Sequence, residues 1–384
     1  MNGSTSKVCL NADCPDDPYP LYATSPLPPK RPGTTRVWVD GCFDMLHFGH
    51  ANALRQAKSL GDELFVGCHS DAEIILHKGL PVMHEEERYE ALRGCKWVDF
   101  VVEGYPYVTR VEDMMRFGVD YVVHGDDISV DLEGRNSYQA IIDAGMFKVV
   151  KRTESISTTD LVSRMLRAAP NKPAYAADKT LLDEEIAKHP PTRYLTTSRK
   201  IAQFSNNRPP PRDGKIVYVQ GSFDLFHVGH VQFLKKVRAL GDYLVVGLYD
   251  DQTIRGEKGE LFPIMSLNER VLGVLSCRHV DEVIFGVPGS VTREMITSLG
   301  IRVVACGSMV SSPIRTRDCD ALTVPRELGI LQEIESTSSL STNDIIERVM
   351  KNWTTLVERQ SKKRLKDRLV ESQKPELYRN VTEF

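Results

Sequence analysis

Two histidines three residues apart, His47 and His50 with Gly49 between them, are the residues in this chain best spaced to handle phosphate. They sit in the run Asp40-Gly41-Cys42-Phe43-Asp44-Met45-Leu46-His47-Phe48-Gly49-His50. The run recurs 180 residues on as Gln220-Gly221-Ser222-Phe223-Asp224-Leu225-Phe226-His227-Val228-Gly229-His230. Between residues 40–67 and 220–247, 13 of 28 positions are identical. Each copy follows a short β-branched run, Arg36-Val37-Trp38-Val39 or Lys215-Ile216-Val217-Tyr218-Val219, and precedes a segment of helical apolar spacing. Both rings therefore fall on one face of a helix's first turn, beside backbone N–H groups that have no partner within the helix. Those donors and the helix dipole attract phosphate, and a glycine between the rings lets a bulky substrate approach the backbone. One isolated pair could be an ordinary helix start, but two matched pairs in matched context point to a site.

The internal repeat also acts as a filter. Of ten histidines, only His47 with His227 and His50 with His230 coincide, whereas His69, His77 and His124 face Tyr249, Glu257 and Cys306. Those three are expected to be structural or local. Lys78-Gly79 matches Lys258-Gly259, and Glu87-Arg88 matches Glu269-Arg270, which raises Lys78 above a plain surface turn. One segment breaks the symmetry. Arg152-Thr153-Glu154-Ser155-Ile156-Ser157-Thr158-Thr159 aligns with Ser336-Thr337-Ser338-Ser339-Leu340-Ser341-Thr342-Asn343, so only the first copy offers a guanidinium beside its hydroxyls and helix start. The hydroxyl run alone would serve equally as a helix cap.

The elements that must position these groups alternate. Strands are expected at 36–39, 63–68, 97–102, 121–124 and 147–150, with helices at 47–60, from Ser70 onward, 85–95, 108–117 and 158–166. Such alternation implies a parallel sheet with helices on both faces and ligands beyond the carboxyl ends of the strands. The plan repeats from 214 to 350. The expected organisation is a flexible proline-rich leader at 1–35, a first domain at 36–167, a linker at 168–213 with one helical stretch near 198–204, a second domain at 214–350, and a charged, helix-prone tail at 351–384.

Bulk properties narrow the class. With 384 residues, 41% hydrophobic and 26% charged, the chain can bury two cores. A net charge of -3 gives no general pull toward nucleic acid or anionic membrane. No run approaches the roughly 18 apolar residues of a spanning helix, and no secretory signal is visible. Eight cysteines without a C-x-x-C pair argue against a disulfide framework or structural zinc and for a reducing, cytosolic setting. Cys42 aligns with Ser222, so a thiol nucleophile is not required.

Taken together, H-x-G-H on the first strand-to-helix turn and R-T-x-x-I-S-T-T before the last helix resemble the cytidylyltransferases, whose near relatives use glycerol phosphate, phosphocholine or phosphoethanolamine. Two such domains in one chain are similar to the members acting on phosphoethanolamine, and the likeness covers about residues 36–350. The resemblance implies an α/β fold of two tandem Rossmann-like nucleotidyltransferase domains with parallel sheets. It also implies that His47 and His50 contact the CTP phosphates, that Lys78 neutralises the reacting phosphates, and that Arg152, Thr153, Ser157 and Thr158 hold the triphosphate. Asp127 would lie near the nucleoside, Arg88 would position substrate, and Gly41, Cys42, Phe43 and Asp44 would complete the turn. In the second domain Gly221, Ser222, Phe223, His227, His230, Lys258, Arg270, Ser341 and Thr342 match, and an impaired or supporting site is expected there. Mg²⁺ would arrive on the CTP phosphates, the partners would be CTP and phosphoethanolamine, and the two domains or two chains would pair. Peripheral contact with the endoplasmic reticulum would accompany phospholipid synthesis. A phosphocholine enzyme and a non-catalytic CTP-binding sensor are the alternatives that the sequence leaves open.

Overall fold

A computed structural model describes residues 27–126, 130–131, 133, 135–153, 156–167, 198–308, 315–316, 319–356, 358–359 and 382–383. Most of the leader, the linker up to 197, Asp127 and most of the tail lie outside them. The first domain runs β1 (Arg36–Gly41), α1 (Phe48–Lys58), β2 (Glu63–Cys68), α2 (Asp71–His77), α3 (Glu85–Gly94), β3 (Phe100–Glu103), α4 (Val111–Phe117), β4 (Tyr121–Gly125), α5 (Gln139–Asp143), β5 (Phe147–Val150) and α6 (Thr158–Arg167). After α7 (Ser198–Phe204), the second runs β6 (Ile216–Gly221), α8 (Val228–Arg238), β7 (Tyr243–Tyr249), α9 (Asp251–Lys258), α10 (Leu267–Leu275), β8 (Glu282–Val287), α11 (Arg293–Ser298) and β9 (Ile301–Gly307). It ends with the pair β10 (Arg315–Thr316) and β11 (Cys319–Asp320), then α12 (Thr323–Glu327), β12 (Leu331–Ile334) and α13 (Thr342–Lys351).

Both sheets are parallel and share one order, β5-β4-β1-β2-β3 and β12-β9-β6-β7-β8. The direction of winding reverses at β1 and β6, which leaves a crevice at their carboxyl ends, where each histidine motif begins. Successive β1 side chains feed opposite cores. Val37 and Val39 join Leu54, Ala57 and Leu92 on one face, and Trp38 joins Phe65, Tyr105 and Phe117 on the other. A Cβ at Gly67 would come within 2.4 Å of the Trp38 ring, so only glycine lets β2 pass that indole.

The sequence-based boundaries shift where side chains have other work. The third strand starts at Phe100 rather than Trp97, because Trp97 turns edge-on to Phe204 at 5.0 Å and Asp99 accepts the Leu64 amide at 2.7 Å. The helix expected at 108–117 begins at Val111 as α4, and α5 was not foreseen at all. The tail, read as helical, contains a two-residue strand β13 (Thr382–Glu383) that adds to the edge of β5.

The domains pack about a local two-fold relation. Cys95 bridges Cys277, its aligned counterpart, in an antiparallel pair flanked by Lys96 N–H to Ser276 O (2.9 Å) and Arg278 N–H to Gly94 O (2.8 Å). Arg164 on α6 forks onto Glu269 on α10 at 2.8 and 3.0 Å. The aligned Arg348 on α13 forks onto Glu87 on α3 at 2.6 and 2.8 Å. Residues from both domains, including Met83, Leu161, Met265 and Ile345, share one apolar core between them.

Candidate active site

Each motif turn is built on backbone that ordinary residues avoid. Phe43 and Met45 sit at φ 50 and 48, and Phe223 and Leu225 repeat this at 47 and 47. Left-handed conformations of this kind cost about 1–3 kcal/mol each and persist only where the surroundings enforce them. Here they do. Arg88, fully buried, donates to Cys42 O (2.7 Å), Met83 O (3.3 Å) and Asp71 (2.8 Å), so this expected substrate contact braces the turn from behind. Arg270 does the same through Ser222 O and Met265 O. Asp44 accepts the amides of Val82 (3.0 Å) and Met83 (2.9 Å), so its carboxylate is directed at the segment between α2 and α3 and not at a histidine. Thr158 Oγ1 donates to Asp44 O at 2.9 Å, and Thr342 repeats the bond onto Asp224 O at 3.1 Å.

The turn delivers His47 as the N-cap of α1. Its Nδ1 accepts the N–H of Gly49 (3.1 Å) and of His50 (3.4 Å), and His50 Nδ1 accepts the His47 N–H at 3.4 Å. The rings stack with centroids 3.9 Å apart, on one face as the spacing implies. With both Nδ1 atoms accepting, the proton of each neutral ring is assigned to Nε2, and both rings become aligned N–H donors at a helix start. His227 and His230 repeat the arrangement, with bonds of 3.2 and 3.3 Å and centroids 3.9 Å apart.

Burial pushes His227 down to about 4 and His230 well below the usual range. Both rings are therefore neutral in the fold but take up protons near 6.5 when it opens. Their stabilisation is complete above that value and is lost as the pH falls toward 4. The thermal midpoint is thus expected to drop between pH 7 and 5, and His227→Asn should flatten that slope. An unchanged slope in the variant would show that the protons are taken up elsewhere.

Two further segments join the turn. In the first domain Asn52 Nδ2 on α1 donates to Thr153 Oγ1 at 2.9 Å, and the Arg152 N–H reaches Asp126 at 3.2 Å. The approach that Gly49 allows is taken by the chain itself, since a Cβ there would stand 2.9 Å from Ile156 Cγ2. Arg152 is exposed just past the carboxyl end of β5, and its neighbours Lys151 and Thr153 are held by Gln56 and Asn52, so this part of the chain runs beside the middle of α1. Ser157 Oγ donates to Asp160 (2.8 Å) and accepts its N–H (3.1 Å), which is helix capping of α6. Ser341 caps α13 with Asp344 in the same way. Lys78, exposed at the end of α2, lies 5.3 Å from the Tyr107 ring and leads into the segment held by Asp44. Lys258 stands close enough to His230 to help depress its basicity. Asp127 lies outside the described residues.

One group escaped sequence reasoning. Asp40, 4% exposed at the end of β1, accepts Trp38 Nε1 (2.8 Å), Thr109 Oγ1 (2.5 Å) and the Tyr138 hydroxyl, and no cation pairs with it among the described residues. Its counterpart is Gln220, which bonds Tyr218, Tyr249 and Gly289 O instead. That carboxylate-for-amide difference was visible in the repeat but unread. His69, expected to be local, is buried with Nδ1 2.9 Å from Tyr105 O, and burial pushes it down to about 4.

Comparison with known proteins agrees with this geometry. A family model described as Cytidylyltransferase-like matches residues 38–164 and 218–348, one match for each domain. The ethanolamine-phosphate cytidylyltransferase of Dictyostelium discoideum is 48% identical over 344 residues, covering 86% of this chain and 95% of that protein. The mouse enzyme of the same name is 40% identical over 374 residues, covering 88% of this chain and 92% of its own length. Mouse choline-phosphate cytidylyltransferase A matches at 44% over 143 residues, only 36% of this chain. Because the likeness spans both domains only in the ethanolamine-phosphate group of these relatives, the chain belongs to the ethanolamine-phosphate cytidylyltransferases.

Proposed function

We propose that the first domain's crevice joins CTP and phosphoethanolamine to give CDP-ethanolamine and pyrophosphate. The observation that carries this is the bonding of the histidine turn to the Arg152 segment, through Asn52 to Thr153 and Thr158 to Asp44 O. A phosphate oxygen of phosphoethanolamine attacks the α-phosphorus of CTP and forms the new P–O bond. The bond from that phosphorus to the bridging oxygen breaks, and pyrophosphate leaves with the electron pair. The attacking monoester is already ionised near neutral pH, so alignment and charge stabilisation are the main tasks. His47 and His50 donate from Nε2 to charge growing on the α-phosphate, Lys78 offsets the two reacting phosphates, and Arg152 grips the leaving end. Magnesium suits this substrate because phosphate oxygens are hard donors, and when bound it offsets triphosphate charge. Among the described residues no group of three His, Cys, Asp or Glu is placed to hold an ion, so phosphate oxygens would be its main ligands. The reaction is placed in a reducing, cytosolic setting, which the free thiols Cys42, Cys68, Cys95 and Cys277 support. No helix among the described residues is long and apolar enough to cross a membrane.

The ammonium end is assigned to Asp40, a buried carboxylate next to the motif glycine that accepts hydroxyl and indole donors. A hydrogen bond to a charged group is worth about 1.5–3 kcal/mol, so Asp40→Asn should raise KM for phosphoethanolamine by about 10- to 100-fold and leave KM for CTP nearly unchanged. Equal effects on both would place Asp40 in the scaffold instead. Pyrophosphate release with phosphoethanolamine, phosphocholine and glycerol 3-phosphate tests the whole reading. Preference for phosphoethanolamine supports it, equal or faster release with phosphocholine contradicts it, and CTP binding without release makes the chain a sensor.

A further inference from the structure

The residues after α13 turn back to the first domain. Leu356 is buried in the core that both domains share, and three residues on Arg359 reaches the segment between Lys78 and α3. Its Nη1 donates to Leu80 O at 2.6 Å and stands 3.5 Å from Asp44 Oδ2. The methylenes of its side chain run past Gly79, whose φ of 86 makes the turn after Lys78. The side chain is 19% exposed and the Asp44 carboxylate 2%, so the pair is largely out of water. Residues 79–83 are therefore held from two sides, by Asp44 on the amides of Val82 and Met83 and by Arg359 on the carbonyl of Leu80. The second domain has no such arrangement among the described residues. Asp224 accepts Ile264 N–H (2.7 Å) and Met265 N–H (2.9 Å) without an ion pair, and burial raises its carboxyl.

We propose that Arg359 is a positioning residue for the first domain's reaction: carried by chain that follows the second domain in sequence, it clamps the segment between α2 and α3 that aims Lys78. The site of one domain is thus completed by chain that follows the other, which gives the tandem arrangement a mechanical role. This rests on the reading of Lys78 given above.

The test uses the full chain with Arg359→Ala, Arg359→Lys, Lys78→Ala and the double variant Lys78→Ala/Arg359→Ala. Amide hydrogen exchange at residues 80–83 should quicken by about 10-fold in Arg359→Ala, and kcat should fall by about 10-fold, as for loss of one charge-assisted bond. The thermal midpoint should fall only slightly, because Asp44 keeps the amides of Val82 and Met83 as Asp224 keeps its own amides without a cation, and Arg359→Lys should restore most of the turnover. In the Lys78→Ala background the second substitution should add nothing, because coupled residues are not additive. Unchanged exchange at 80–83 overturns the inference whatever the turnover. Full additivity with Lys78→Ala overturns the link to Lys78. A Lys78→Ala enzyme with undiminished turnover overturns the reading of Lys78 itself, and is recognised without reference to Arg359.

Discussion

Replacing His50 by asparagine is expected to lower kcat by about 100- to 1,000-fold, the usual effect of removing one preorganised donor from a charge-stabilising site. Asparagine is chosen because its Oδ1 can take the place of the imidazole Nδ1. It can therefore still accept the His47 N–H, now at 3.4 Å, and keep the reciprocal cap of α1. What it cannot supply is the Nε2–H on the far side of the ring. His50→Ala loses both, so it should match asparagine in turnover and add about 0.5–2 kcal/mol of lost helix capping. Steady-state turnover beside thermal melts separates the two effects. If His50→Asn turns over normally, the imidazole is a cap and nothing more.

The second large effect is on stability, at Arg164. Its guanidinium and the Glu269 carboxylate are 7% and 1% exposed, and they form a fork between the domains at 2.8 and 3.0 Å. Arg164→Ala would leave Glu269 as a buried charge without its partner, which costs about 3–5 kcal/mol. The aligned pair Arg348 and Glu87 is wetter, at 28% and 17%, so Arg348→Ala should cost less through water's screening. Urea unfolding of both variants checks the order. A double variant, Arg164→Met with Glu269→Leu, should recover most of the loss, because a buried ion pair replaced by apolar side chains is often neutral or stabilising. Equal losses at Arg164 and Arg348 would mean that burial does not govern these contacts.

Much of the frame was legible because the chain states it twice. The strand β2 at Glu63–Cys68 and β5 at Phe147–Val150 fall where the apolar runs place them, and His47 with His50 share a face as their spacing requires. Other features leave no mark in a single sequence. Nothing in Phe43 or Met45 announces a left-handed backbone, since the carbonyl and amide partners that enforce it come from residues 88, 158 and 82–83. The family resemblance implies that Arg88 positions substrate, and the structure shows the same arginine in both copies bracing the turn, on Cys42 O and, for Arg270, on Ser222 O. Ser157 looked equally like a ligand or a cap, and the bonds to Asp160 show the cap. Asp40 was passed over because the repeat was searched for residues in common, whereas its difference from Gln220 is the informative part. Arg359 lies beyond the repeat altogether, and only the folded chain brings it to Leu80.

In the proposed reaction the paired imidazoles of the first domain carry the transfer, with Arg152 as their helper. Rapid-quench pyrophosphate release from CTP and phosphoethanolamine, with His47→Ala and His227→Ala measured side by side, tests this most directly. Loss of release in His47→Ala with most of it kept in His227→Ala is the expected result. The reverse pattern would contradict the account.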